Sequence, residues 1–169
     1  FRAWSPGNGS MPDFGQSQSR GVMDYDRHDD IALAQVEQNV ARYGWHLQNV
    51  LAHWRGIAYS YTVGLRKSFD HPELAILGLK PSVADLALVR AVQEIRAGKR
   101  FSPGDREDGL LTGWPCEFVP VPPEETEQLF PLVASFYSGA PVPVCQIIWP
   151  KLQADFPQHG KLVHLPEGG

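Results

Sequence analysis

The sequence has few cysteines and no long hydrophobic run, and each shortage excludes a class of protein. Cys116 and Cys145 are the two cysteines among 169 residues, too few for a disulfide-stapled scaffold, so a reduced, cytoplasmic protein is expected. The apolar runs are only a few residues long, as at residues 74–77, whereas a membrane-spanning helix needs about 20. We therefore expect no membrane partner.

Basic residues are also in short supply, and several reaction motifs are missing. Lys and Arg total 15 against 19 Asp and Glu, a formal net charge of -4, which argues against general nucleic-acid binding. The chain contains no glycine-rich phosphate loop, no HExxH zinc motif and no GxSxG nucleophile motif. The sequence therefore predicts neither a metal nor a cofactor.

What is present is typical of one folded domain with many turns. Hydrophobic residues make up 43% of the chain, and it contains 16 Gly and 15 Pro. Residues 1–10 end in Gly-Ser just before Met11, so we expect them to be an appended peptide. Residues 11–28 are polar and predict a flexible lead-in, which leaves residues 29–169 as a single domain.

Hydrophobic periodicity predicts helices over residues 29–43 and 82–97, and a third that begins at Pro122 and is interrupted by Pro131. Strands are predicted over residues 45–51, 57–63, 73–79, 114–121 and 141–149. The segments 66–72 and 100–113 are interpreted as loops. This order favours an α+β fold in which a largely antiparallel sheet of about five strands packs against two or three helices.

The segment His71-Pro72-Glu73 is the strongest candidate for chemistry. An H-x-E triplet followed later by Pro-Cys is part of the zinc deaminase signature, but Val119 stands where the second cysteine is required. His71 is instead proposed as a general acid or base oriented by Glu73 or Asp70. The alternative is structural, because a residue before proline is restricted to extended conformations.

Aromatic and polar side chains near the predicted strand ends form a second candidate group. Such residues pack in protein cores more often than they bind ligands, but their polar tips need partners. The predicted ligand-binding residues are Trp45, His46, Tyr61, Thr62 and Trp149.

Several short motifs together resemble a bacterial family, catalogued as domain of unknown function 4262. They are Tyr43-Gly44-Trp45-His46, residues 58–65, residues 69–74 and residues 146–150. The resemblance covers about residues 29–157 and implies no established activity. The chain departs from the family pattern at Lys151 and Gln158, so the resemblance assigns no role to that C-terminal corner.

Three functional hypotheses follow from the sequence. The preferred one is a small binding or accessory module that recognises a protein, a peptide or a small molecule. The alternative is a hydrolase or transferase that uses His71 with Glu73 or Asp70. A toxin-neutralising role is a third hypothesis, which the modest acidity supports only weakly. A homodimer stays open, because a proline near the start of the last strand fits either a strand start or an edge strand.

Overall fold

The computed structural model describes the backbone of residues 14–51 and 57–149, and the side chains from residue 29 onward within those ranges. Residues 1–10, predicted to be an appended peptide, lie outside the described residues. Five helices and six strands occur in the described chain. None of the helices described there is both long and apolar enough to cross a bilayer.

The six strands form one sheet. They are β1 (His46–Val50), β2 (Tyr59–Val63), β3 (Glu73–Leu77), β4 (Arg106–Leu111), β5 (Trp114–Pro120) and β6 (Val144–Ile148). Their spatial order is β1-β2-β3-β6-β5-β4. Neighbouring strands are antiparallel except β3 and β6, which run parallel, with Glu73 opposite Val144. The predicted α+β fold with a largely antiparallel sheet is confirmed.

The helices cover both faces of this sheet. They are α1 (Phe14–Tyr43), α2 (Leu65–Phe69), α3 (Pro81–Arg96), α4 (Pro123–Leu129) and α5 (Pro131–Phe136). One core lies between α3 and the side chains of Leu74, Ile76 and Ile147. The other lies on the opposite face, where Ala75 and Leu77 belong to the core that α1, α4 and α5 complete. Because β3 contributes to both cores, all five of its residues are buried, as its apolar run predicts.

Three elements differ from the sequence-based expectations. The first helix begins at Phe14, so the backbone of residues 14–28 is helical where a flexible lead-in was predicted. The short helix α2 falls within the predicted loop 66–72. The strand β4 falls within the predicted loop 100–113. Its charged sequence predicted a loop because β4 lies at the edge of the sheet, where charged residues such as Arg106 remain exposed.

The proline near the last strand marks a strand start. Pro143 stands immediately before β6, where its missing N–H removes no hydrogen bond from the sheet. The strand itself is internal, since β3 and β5 pair with its two sides. The interpretation of this strand as an edge is therefore wrong, and the edges of the described sheet are β1 and β4.

Candidate functional site

Glu73 lies at the first position of β3 and has no exposed surface. Its Oε2 accepts a hydrogen bond from the Thr62 hydroxyl at 2.7 Å, and its Oε1 accepts one from the Gly64 N–H at 2.9 Å. The Arg66 N–H is 3.3 Å from the same Oε1. Gly64 is the N-cap of the short helix α2 and Arg66 is its second residue, so the carboxylate accepts hydrogen bonds at the N-terminal end of that helix.

The turn that delivers these N–H groups depends on a glycine. Gly64 has a φ of 106°, a left-handed conformation that side chains disfavour. A Cβ there would lie 2.7 Å from Val40 Cγ2 on α1, closer than packing allows. Thr62 fixes the other side of the turn, because its Oγ1 accepts the Leu74 N–H at 2.9 Å. The turn at Gly64 therefore packs closely against α1 and also donates a hydrogen bond to the Glu73 carboxylate.

Tyr137, at the C-terminal end of α5, completes the group. Its hydroxyl donates to Glu73 Oε1 at 2.6 Å and lies 3.3 Å from the Lys67 N–H. Burial raises the pKa of Glu73, although the hydrogen bonds from Tyr137 and Thr62 act in the opposite direction. We call Glu73, Thr62 and Tyr137 with the Gly64 turn the Glu73 cluster. Its hydrogen bonds join β2, α2, β3 and α5.

His71 is fully buried and makes two hydrogen bonds with the backbone. Its Nδ1 donates to the Pro72 carbonyl at 2.8 Å, and its Nε2 accepts the Phe101 N–H at 3.0 Å. This pair of contacts defines a neutral imidazole, and burial lowers the pKa of His71 in agreement. The ring also meets the Phe101 ring edge-on, with centroids 6.0 Å apart. Both nitrogens that an acid–base residue would use are occupied by backbone groups.

The two carboxylates proposed to orient His71, those of Glu73 and Asp70, bind other groups. Glu73 bonds to the cluster named above, and Asp70 forms an exposed ion pair with Arg66. No hydrogen bond joins His71 to either carboxylate among the described side chains. The three residues are neighbours in the sequence, but the structure does not join them into an acid–base unit.

The five predicted ligand-binding residues fall in separate surroundings. Tyr61 is buried in the core below α5, where its ring lies 5.0 Å from that of Phe130. Thr62 belongs to the Glu73 cluster. Trp45 and Trp149 pack against the core below α3, and Trp149 Nε1 donates to the Leu77 carbonyl at 3.1 Å.

His46 lies on the edge strand β1 and is partly exposed. Its ring nitrogens are 2.8 Å from Asn39 Nδ2 and 3.2 Å from Gln48 Oε1. These partners are side chains of α1 and of β1 itself. The structure therefore does not gather the five predicted residues into one concave site, and their role in ligand binding stays a prediction.

A pocket of about 590 Å³ lies in a different place, where the loops before β3 and β6 meet α4 and α5. Its lining is mainly apolar and includes Val133, Ala134, Val142 and Cys145. Six prolines also contribute to its wall: Pro72, Pro103, Pro120, Pro123, Pro141 and Pro143. We call this cavity the proline pocket. Small-molecule sites have this size and this mainly apolar character.

The sequence analysis missed the proline pocket, although one signal was visible. The chain contains 15 prolines, and the sequence analysis related each one only to its local element, as a turn, a helix start or break, or a strand start. Their positions in the chain are far apart, so only the pairing of β3 with β6 brings Pro72 and Pro143 together. Pro72, between the two catalytic candidates, is part of the pocket wall.

Metal binding and thiol chemistry find no geometric support in the described chain. Within residues 29–51 and 57–149, no three His, Cys, Asp or Glu side chains meet as metal ligands would. Cys116 and Cys145 are free and buried, and burial raises the pKa of both thiols to about 11. A thiol with a raised pKa is a poor nucleophile at neutral pH.

A family model described as "Domain of unknown function (DUF4262)" matches residues 39–162. The chain belongs to the DUF4262 family. The match confirms the resemblance drawn from the short motifs, and it spans all six strands of the described sheet. The Glu73 cluster and the proline pocket therefore both lie within the DUF4262 region. No curated protein and no solved structure matches the chain.

Proposed function

We propose that the chain is a binding module that holds a small, mainly apolar ligand in the proline pocket. The observation that carries this proposal is the pocket itself: about 590 Å³ of space with mainly apolar walls, next to side chains that position those walls. Burial of apolar ligand surface supplies binding free energy of about 25 cal/mol per Å² before the costs of association.

The buried polar residues support the binding proposal because they position the pocket wall. Pro72 lies between His71 and Glu73, and its carbonyl accepts the hydrogen bond from His71. Pro143, on the same wall, accepts the Glu73 N–H at 3.0 Å through its carbonyl. The His71 side chain and the Glu73 backbone N–H thus hold two of the six prolines in place, which preorganises the pocket.

The alternative, a hydrolase or transferase based on His71, has less support. An acid–base residue must reach the proton it transfers, and both nitrogens of His71 contact backbone groups instead. Glu73 has no exposed surface and already accepts hydrogen bonds at both oxygens. The geometry therefore favours binding over acid–base catalysis.

We place this module in the bacterial cytoplasm, where thiols stay reduced. Cys116 and Cys145 are both free, which is typical of proteins from reducing compartments. Fractionation of the cells into periplasm, membrane and cytoplasm, followed by detection of the protein with an antibody, tests the location. We expect the protein in the cytoplasmic fraction, and its recovery from the periplasm or from the culture medium would contradict the proposal.

Nile red, a neutral apolar dye that brightens in apolar surroundings, tests the binding proposal. We expect the protein to bind it, and Ala134→Phe, which fills the pocket from α5, to weaken binding at least about tenfold, equivalent to ~1.4 kcal/mol. The matched control is Ala97→Phe, an exposed position at the end of α3 that does not line the pocket. Thermal unfolding confirms that each variant is folded.

Ala140→Trp is a second pocket variant, at an exposed lining position outside the core. We expect it to weaken dye binding as well. Equal dye binding by the unmodified protein, by both pocket variants and by the control would show that the proline pocket does not hold the dye, and the proposal would be wrong.

A further inference from the structure

The wall of the proline pocket offers few hydrogen-bond donors, and two of its proline carbonyls, those of Pro72 and Pro143, already accept hydrogen bonds. Each of its six prolines has a carbonyl oxygen but no N–H group. Other lining residues donate their N–H groups to backbone carbonyls: Val121, Val133, Ala134, Gly139 and Ala140. The Thr126 hydroxyl is directed at the Pro122 carbonyl, 3.5 Å away. A ligand group that only accepts hydrogen bonds therefore finds few donors on this wall.

The charge at the rim of the pocket favours a positively charged ligand group. Among the described lining residues, Glu127 alone is charged, and its carboxylate is exposed on α4. The positive end of the α4 dipole does not reverse this preference, because Glu124 and Glu125 occupy its first turn. Neither Lys nor Arg belongs to the described lining. The charge that complements this rim is positive.

Building on the proposed function, we infer that the ligand of the proline pocket is an amphipathic amine, with an apolar body and a protonated amino group beside Glu127. The apolar body fills the space between the prolines and α5. The ammonium group pairs with the Glu127 carboxylate at the rim. A carboxylate or phosphate ligand would meet repulsion from Glu127 and few donors.

Three ligands of eight carbon atoms each separate these alternatives: octylamine, octanol and octanoate. Isothermal titration calorimetry at neutral pH and low ionic strength, below the micelle-forming concentrations, measures each affinity. We expect octylamine to bind about three- to fivefold more tightly than octanol, since an exposed ion pair contributes little more. Octanoate is expected to bind more weakly than both. Added salt should reduce the preference for the amine.

Two variants locate the source of the preference. Glu127→Gln is expected to bring octylamine and octanol to equal affinity, while octanol affinity stays unchanged. Glu124→Gln is the matched control, because this exposed glutamate of the same helix does not line the pocket, and it should keep the preference.

The outcomes separate this inference from the proposed function. Equal binding of the three ligands, tighter binding of octanoate, or an amine preference that survives in Glu127→Gln would overturn the amine assignment. In those cases loss of octanol binding in Ala134→Phe would still support an apolar ligand in the pocket. If none of the three ligands binds and Nile red fails as well, both proposals are wrong.

Discussion

The Glu73 cluster adjoins the proline pocket at Pro72 and Pro143, but the two regions have opposite character. The cluster is polar, buried and satisfied by its own hydrogen bonds, whereas the pocket is open, mainly apolar and poor in donors. His71 and Glu73 are residue types that are common in catalytic sites, but here their side chains form hydrogen bonds with backbone groups. The prolines, which carry no reactive group, line the space that a ligand can enter. The polar side chains therefore support the fold, and the proposed binding site lies among apolar residues.

The largest expected effect comes from removing the carboxylate. Glu73→Ala leaves the Thr62 hydroxyl, the Gly64 N–H and the Tyr137 hydroxyl without their acceptor. We expect the free energy of unfolding, measured in urea, to fall by about 3–5 kcal/mol, since each buried unpaired donor costs about 1–3 kcal/mol. A loss below about 1 kcal/mol would contradict the supporting role of the cluster.

The charge of Glu73 can be separated from its hydrogen bonds with Glu73→Gln. Because the folded pKa of Glu73 is raised above its ordinary value of 4.5, the folded protein binds this proton more readily than the unfolded chain. Its stabilising contribution is fully present below pH 4.5 and is lost as the pH rises through the folded pKa. The stability of the unmodified protein relative to Glu73→Gln should therefore increase on acidification. An unchanged difference across that range would contradict the raised pKa.

His71→Ala is expected to lower the free energy of unfolding by about 2–4 kcal/mol, because two buried backbone groups lose their partner and a cavity forms. It should also weaken Nile red binding, since the Pro72 wall loses its anchor. The control is His46→Ala on the edge strand, where we expect less than about 1 kcal/mol. Unchanged dye binding in His71→Ala would show that His71 does not position the pocket.

The stability difference between the unmodified protein and His71→Ala should also depend on pH. The folded pKa of His71 lies below its ordinary value of 6.5, so its neutral form is favoured by folding. This contribution is complete above pH 6.5 and is lost as the pH falls through the lowered pKa. The stability of the unmodified protein relative to His71→Ala should therefore shrink on acidification. A constant difference would indicate that the imidazole is not held in its neutral form.

Tyr137→Phe removes one donor from the cluster and leaves the ring in place. We expect a loss of about 1–2 kcal/mol, because one hydrogen bond to the buried carboxyl group is removed. The exposed Tyr43 provides the control, and Tyr43→Phe should change stability by less than about 0.5 kcal/mol. Equal effects in urea unfolding would show that the Tyr137 contact contributes no stability.

The smallest effect on stability is expected at the pocket. Glu127→Gln should change the free energy of unfolding by less than about 0.5 kcal/mol, because this side chain is exposed. A loss above about 1 kcal/mol would give Glu127 a structural role, and the contrast between cluster and pocket would disappear.

Local patterns were enough to predict most of the fold. The apolar run of β3 predicted a central strand, and Pro131 correctly predicted the break between α4 and α5. Such signals depend on neighbours in the chain. The strand β4 escaped prediction because its stability comes from pairing with β5, and its exposed face tolerates charge.

The site was harder to predict because it depends on distant residues. Nothing near Glu73 in the sequence shows that Tyr137 donates to it, or that Pro143 accepts its N–H. The sequence also does not show that the Gly64 N–H, in a left-handed turn, donates to Glu73. A pocket built from residues without reactive groups gives no motif, so sequence reasoning favoured the polar residues beside it.

The parallel pairing of β3 and β6 has a consequence for folding. These strands are distant in sequence, so bringing them together requires closure of a long segment that includes β4, β5, α4 and α5. Contacts of this kind slow folding. Because Pro72 and Pro143 meet only through that pairing, a partially folded chain without it has no pocket. A pocket ligand should therefore bind the native state alone and raise the melting temperature in proportion to the logarithm of its concentration.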